Sequence, residues 1–246
     1  MSALLRAELL KLRTTRATWV LLGIALAIAA GVLVIILSVL ERSRTITDDN
    51  LGALFSFISI ADLLVLCLGI VAAAGEFRHG TVTAGFLITP SRWPVVVAKA
   101  IAYALVGLAY GAATLLLLVV VGLPWLAAKD VTLELGSTGW IEPVTGRLLY
   151  AGLSAALGVG LGTLFRNQAA ALVTALVTLL AVEPALQLVS DAVGTYGLNG
   201  TSAALFGDSE SFSDVLPFWA GALLYAGYAA LFVGAGIALT LRRDVA

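Results

Sequence analysis

Charge is scarce in this sequence. Only 12% of its 246 residues are Asp, Glu, Lys or Arg, about half the share of a soluble domain. There is one cysteine, Cys67, and one histidine, His79. A single cysteine excludes an internal disulfide, and the pair excludes a conventional His/Cys zinc site within one chain. No G-x-x-x-x-G-K-[ST] loop is present, so the chain does not bind nucleotide in the P-loop manner, and there is no H-E-x-x-H. Asp62 has no second aspartate inside an apolar run beside it. His79 lies at the edge of such a run, whereas a Ser–His pair within a membrane needs a buried histidine. An intramembrane protease therefore lacks its residues. The net charge of −1 suggests no nucleic acid partner.

What fills the sequence is oil. Hydrophobic residues make up 61% of the chain, and the mean hydropathy is +1.05. This is the composition of an all-α polytopic membrane protein. Arginine outnumbers lysine eleven to three, with alanine, valine, leucine and glycine abundant, a bias that fits a GC-rich bacterial genome. The first apolar run, residues 17–40, is too long for a signal-peptide core and long enough to span a bilayer. Five more runs follow at about 51–74, 95–121, 147–165, 169–189 and 217–240. They make one transmembrane domain, residues 1–246, with no internal repeat.

Basic residues orient it. With the N-terminus inside, the inner set is Arg6, Lys11, Arg13, Arg16, Arg78, Arg92, Lys99, Arg166, Arg242 and Arg243, against Arg42, Arg44, Lys129 and Arg147 outside. Ten against four puts both termini in the cytoplasm. Residues 2–16 carry Leu5, Leu9 and Leu12 on one helical stripe among basic residues. That pattern is an interfacial amphipathic helix, or else a solvated basic tail that only sets topology. Of the outer connections, 41–50 is a short polar turn. Residues 122–146 hold Pro124, Pro143, Trp125 and Trp140. Residues 190–216 include apolar patches such as Ala203-Ala204-Leu205-Phe206, suited to short surface or re-entrant helices.

Three charged residues in or near the hydrocarbon are candidates for a role there. Asp62 is near the middle of the second span, where an aspartate costs about 2.5–3.5 kcal/mol to insert. It reads as a point on a translocation path or at a helix seam, or as a neutral hydrogen-bonded core residue. Arg147 begins the fourth span and Glu183, before Pro184, lies toward the outer end of the fifth. These two are expected to pair across helices. Gly107 and Gly111, and Gly158 and Gly162, form G-x-x-x-G pairs that suit close helix packing.

The inner connection between spans two and three is the longest polar interruption on that side. Gly75-Glu76 marks the exit of the second span, and Gly80 breaks the helix. Thr81 or Thr83 can cap a new short helix that Pro90 stops, and Ser91 can cap the third span. The predicted product is a short, rigid, cytoplasmic helix over 81–89. It is a contact for a partner protein or an ordinary connection.

At this point the sequence resembles the type-2 ABC transporter permeases, the membrane subunits of drug-exporter-like ATP-driven transporters. The residues that carry the resemblance are Glu76, Gly80-Thr81, Thr89-Pro90-Ser91-Arg92 and Lys99. The opening Ala7-Glu8-Leu9-Leu10-Lys11-Leu12-Arg13-Thr14-Thr15-Arg16 and the run Arg166-Asn167-Gln168-Ala169-Ala170-Ala171, leading on to Glu183-Pro184, are similar too. The resemblance implies a bacterial plasma-membrane permease that pairs with a second permease copy. It also implies two cytoplasmic ATPase subunits, which hold the ATP and Mg; no cofactor belongs to this chain. The inner loop would be the coupling helix, with Glu76, Arg78, His79, Gly80, Thr81, Thr89, Pro90 and Arg92 facing the ATPase. The chain would be a permease rather than an enzyme, with the cargo unspecified. Two rivals remain: a secondary transporter driven by an ion gradient, for which only Asp62 speaks, and a non-transporting scaffold or sensor subunit.

Overall fold

Hydrocarbon offers no water to a peptide group, so a spanning segment must satisfy its own backbone. The computed structural model shows that outcome. It describes residues 1–40, 45–46, 48–78, 93–130, 132–133, 140–208 and 214–242. Six of its helical segments are long and apolar enough to cross a membrane: Arg16–Val39, Gly52–Arg78, Trp93–Ala128, Ile141–Phe165, Gln168–Gln187 and Phe218–Thr240. The chain is an all-α polytopic membrane protein.

Helix α1 (Ser2–Thr14) precedes the first span, α2 (Arg16–Leu40). The two are separate because Thr15 is extended. α1 turns Glu8 and Leu12 into the protein and packs against the third span. β1 (Thr45–Ile46) pairs in parallel with β2 (Thr132–Leu133) at the opposite end of the bundle. The second span runs through α3 (Asp48–Ile58), a 3₁₀ turn at Ser59–Ala61 and α4 (Asp62–Arg78). Its helix continues past Gly75, so Glu76 lies inside the last turn and not beyond the exit.

The third span is α5 (Trp93–Leu117), a π turn over Leu118–Gly122 and α6 (Leu123–Ala128). The fifth repeats this design with α8 (Gln168–Val177), a π turn over Thr178–Val182 and α9 (Glu183–Gln187). Both π turns end just before a proline, Pro124 and Pro184. A proline ring clashes with the carbonyl four residues back and offers no N–H. Widening the preceding turn takes up the misfit without ending the helix. Pro124 was expected to lie in a loop after residue 121; the π turn instead carries the third span on to Ala128. The fourth span, α7 (Ile141–Phe165), likewise starts before the expected residue 147. Pro143 is in its first turn, where a missing N–H costs nothing. The chain then forms α10 (Asp191–Tyr196), α11 (Leu198–Phe206) and the sixth span, α12 (Phe218–Arg242).

α7 is the axis of the fold. In the second and fourth spans 61% and 67% of the membrane window is buried, against 17–22% in the other four. α7 packs on α4, α5 and α12 together, and it does so through missing side chains. A Cβ on Gly162 would stand 2.6 Å from the Ile70 carbonyl oxygen, and one on Gly160 would stand 2.7 Å from the Val233 nitrogen. Gly107 and Gly111 of α5 meet the backbone of Ala151 and Arg147. Both G-x-x-x-G pairs therefore lie where helix backbones touch, and α7 has a different small-residue edge for each neighbour. The patch Ala203-Ala204-Leu205-Phe206 is not a surface helix. Residues 200–206 of α11 are all buried, wedged against α7 and α12, and Phe206 lies edge-on to Tyr150 at 5.1 Å.

Candidate functional site

Two charged clusters organise the bundle. The first lies at the end that bears both termini. Glu8 falls between Leu5 and Leu12 on the inward stripe of α1, so a helix that buries its leucines must bury a carboxylate with them. Lys99 is carried inside the apolar first turns of α5. The two are 4% and 5% exposed, which demands a partner of opposite charge. Each is the other's partner: Lys99 Nζ donates to Glu8 Oε2 at 2.7 Å. Lys99 also donates to Glu76 Oε1 at 2.9 Å. Lys11 Nζ reaches both carboxylates from the rim, Glu8 Oε1 at 2.7 Å and Glu76 Oε1 at 2.9 Å. Among the described residues two cations and two anions thus form a square joining α1, the end of α4 and the start of α5. Burial lowers the Lys11 pKa, but its hydrogen bonds to Glu8 and Glu76 outweigh this and hold it above the ordinary lysine value. The stability that this shift contributes is present in the neutral range and is lost as pH rises through that raised value.

Beside this square the same end is tied across the bundle. Arg166 adopts the left-handed conformation that ends α7. Its guanidinium carbon lies 5.0 Å from the centre of the Phe77 ring, and its Nη2 donates to the Leu239 carbonyl at 3.3 Å. Asn167 caps α8 by accepting from the Ala170 N–H at 3.1 Å.

The second cluster is buried between spans two, three and four. Arg147 is the seventh residue of α7, about 9 Å along the helix from its first residue, and it is wholly buried. Its two Nη groups donate to the two carboxylate oxygens of Asp62, Nη2 to Oδ1 at 3.0 Å. Its Nε donates to Thr114 Oγ1 at 3.2 Å, and its guanidinium carbon is 5.7 Å from the centre of the Tyr110 ring. A forked guanidinium on a carboxylate is the geometry that best offsets the cost of burying both charges. Below it Ser154 and Tyr225 share a hydrogen bond at 2.8 Å.

This corrects one expectation. Arg147 does not pair with Glu183. The helix begins earlier than expected, which buries Arg147 more deeply and turns it toward Asp62. Glu183 instead caps α11: its Oε1 accepts from the Asn199 N–H at 2.7 Å. Asn199 returns a bond from Nδ2 to the Leu179 carbonyl at 3.2 Å. That carbonyl would otherwise lack a partner, because Pro184, five residues on, has no N–H. Glu183→Ala should cost about 1–3 kcal/mol, since it leaves the buried helix start unpaired, while Glu183→Gln keeps most of the stability through its amide oxygen. Thermal unfolding of the detergent-solubilised chain measures this. Equal losses in the two variants would remove the capping role.

Of the residues expected to face an ATPase, Glu76 is in the charged square and Arg78 is the exposed last residue of α4. His79, Gly80, Thr81, Thr89, Pro90 and Arg92, with the expected helix over 81–89, lie outside the described residues. Glu8, Lys11 and Lys99 were absent from the expected site. The legible signals were a carboxylate on the apolar stripe of α1 and a lone lysine within an apolar run. No family model matches the chain, and no curated protein matches it.

Proposed function

We propose that the chain is the membrane subunit of an ATP-driven ABC exporter. It would sit in a bacterial plasma membrane with its termini inside, act in a pair with a second permease copy, and take its energy from two separate cytoplasmic ATPase subunits that bind ATP and Mg. The observation that carries this reading is the charged square. Lys99 and Glu76 stand on the two helices that bracket residues 79–92, and Glu8 and Lys11 fasten the N-terminal helix to both. A push delivered to 79–92 would move α4, α5 and α1 as one unit, and α4 would pass it to α7 through the glycine contacts. An energy-coupling loop needs that stiffness. The ion-gradient alternative leaned on Asp62, and a carboxylate held on both oxygens by Arg147 is poorly placed to carry ions.

The test is co-purification followed by a split of activities. The tagged chain should bring down a P-loop ATPase and hydrolyse no ATP alone. In the reconstituted complex Lys99→Met should lower transport at least tenfold while ATP hydrolysis persists, because the stroke no longer reaches the spans. Transport by the chain alone, abolished by collapsing the proton gradient at constant ATP, would overturn the proposal.

A further inference from the structure

A second feature at the terminal end has no role in the coupling scheme. Between α1, α2 and α5 lies an open cavity of about 530 Å³, within the range of about 300–1,000 Å³ typical of small-molecule sites. Its roof is α1. Its walls are the side of α2 that carries Gly23 and Leu26 and the side of α5 that carries Val106 and Tyr110. The α2 wall, from Thr18 to Leu26, runs about 12 Å down from the start of the span. That is most of the depth of one leaflet, since the hydrocarbon core is about 30 Å thick. The lining is mostly apolar, with Thr18 and Tyr110 adding hydroxyls, and Arg13 is its one charged residue.

Arg13 differs from the lysines beside it. Lys11 and Lys99 are neutralised in the square, whereas among the described residues Arg13 has no carboxylate partner, and its side chain is exposed. The turn is fixed by Trp19, whose Nε1 donates to the Arg13 carbonyl at 3.0 Å. Trp19 is 60% exposed, as suits a tryptophan at headgroup level. An unpaired guanidinium and an interfacial indole thus stand over a slot shaped for a chain. Among the described residues none crowds the slot at Gly23: a Cβ there meets no atom within 4 Å.

We infer that this groove binds an anionic phospholipid of the cytoplasmic leaflet, its phosphate on Arg13 and an acyl chain laid along Gly23 and Leu26 toward Tyr110. A guanidinium takes a phosphate through two parallel hydrogen bonds, and with no carboxylate partner among the described residues Arg13 brings a net positive charge that favours a headgroup without a choline cation of its own. The inference stands on the membrane character of the chain and is independent of the ABC reading. The lipid would brace α1 against α2 and α5.

The experiment uses the full-length chain purified in mild detergent and titrated with phosphatidylglycerol or phosphatidylcholine, with bound lipid counted by native mass spectrometry. One phosphatidylglycerol should be retained at least fivefold more strongly than phosphatidylcholine. Arg13→Ala should abolish that preference. Gly23→Phe should abolish retention, because its side chain starts from an uncrowded Cβ and takes up space in the slot, and an unchanged circular dichroism spectrum would show that the fold is kept. Equal retention of the two lipids by the native chain marks an ordinary annular contact and overturns the inference. So does phosphatidylglycerol retention that is unchanged in both variants. An apolar dye that enters the groove while phosphatidylglycerol fails to displace it would assign the slot to another ligand, with the same consequence.

Discussion

Removing either partner of the Asp62–Arg147 pair should be the most destabilising single polar substitution in the chain. Asp62→Ala leaves a guanidinium with no exposure to solvent, and Arg147→Met leaves a carboxylate in the same dry place. Breaking a buried pair from one side costs about 3–5 kcal/mol. A reporter is already in place: Cys67, buried on α4 and the only cysteine in the chain. Its reaction with a thiol-specific fluorophore during heating follows the opening of the bundle, and both single variants should react at markedly lower temperature than the parent. The double variant Asp62→Leu with Arg147→Met should recover much of the loss, because apolar side chains of similar volume remove the desolvation cost along with the attraction. Losses that simply add in the double variant would show that the two groups are not coupled. If the double variant folds and a reconstituted complex no longer transports, the pair serves the transport cycle beyond holding the fold.

The second large effect is expected at Gly162. It fits between Ile70 and Ala74 of α4, and a methyl group there would lie 2.6 Å from a carbonyl oxygen, 2.9 Å from the Ala73 Cβ and 3.1 Å from the Ala74 nitrogen. Two of these three atoms are backbone and cannot rotate away. Gly162→Ala must push spans two and four apart. Overpacking of this kind costs about 1–3 kcal/mol, and Gly162→Leu should prevent accumulation of folded protein. The control is Gly31, on α2, where a Cβ meets nothing within 4 Å. There Gly→Ala should be neutral or stabilise by about 0.5–1 kcal/mol through helix propensity alone. Yield of monodisperse protein on gel filtration separates the two. A Gly162→Ala variant as stable as Gly31→Ala would contradict the close contact between α4 and α7.

Apolar length made the spans readable in advance. The runs at 17–40, 169–189 and 217–240 agree within about two residues with Arg16–Val39, Gln168–Gln187 and Phe218–Thr240. Disagreement gathered at Pro124 and Pro143, both expected in the connection 122–146. Both lie in helix, because a π turn precedes the first and the second stands in an opening helical turn. Sequence statistics carry the average meaning of proline; the local hydrogen-bond pattern decides the particular case.

The charged residues divide along the same line. That Asp62 and Glu183 needed special explanation was plain from their apolar neighbours, whereas Lys99, in an equally apolar run, stood out only as one of the inner basic residues. Which charge each would meet was not plain. Partnership depends on how far each helix is displaced along its axis and on which way it is rotated, and a shift of two residues in the start of α7 is enough to change the level and facing of Arg147. Glu183 looked like the natural partner because it and Arg147 share one end of the bundle. Helix rotation sent it to the Asn199 N–H instead.

By itself the sequence determined that this is a six-span helical membrane protein, since transfer of apolar side chains to hydrocarbon is a sum over residues and needs no knowledge of neighbours. It also marked the N-terminal helix and the glycine pairs. Only the tertiary structure decided that α7 is the central helix, that Glu8, Lys11, Glu76 and Lys99 form one square, and that Asp62 belongs to Arg147. Those are pairwise facts between residues as far as 91 positions apart, fixed by helix packing at close range, where a single Cβ or one turn of rotation changes the partner.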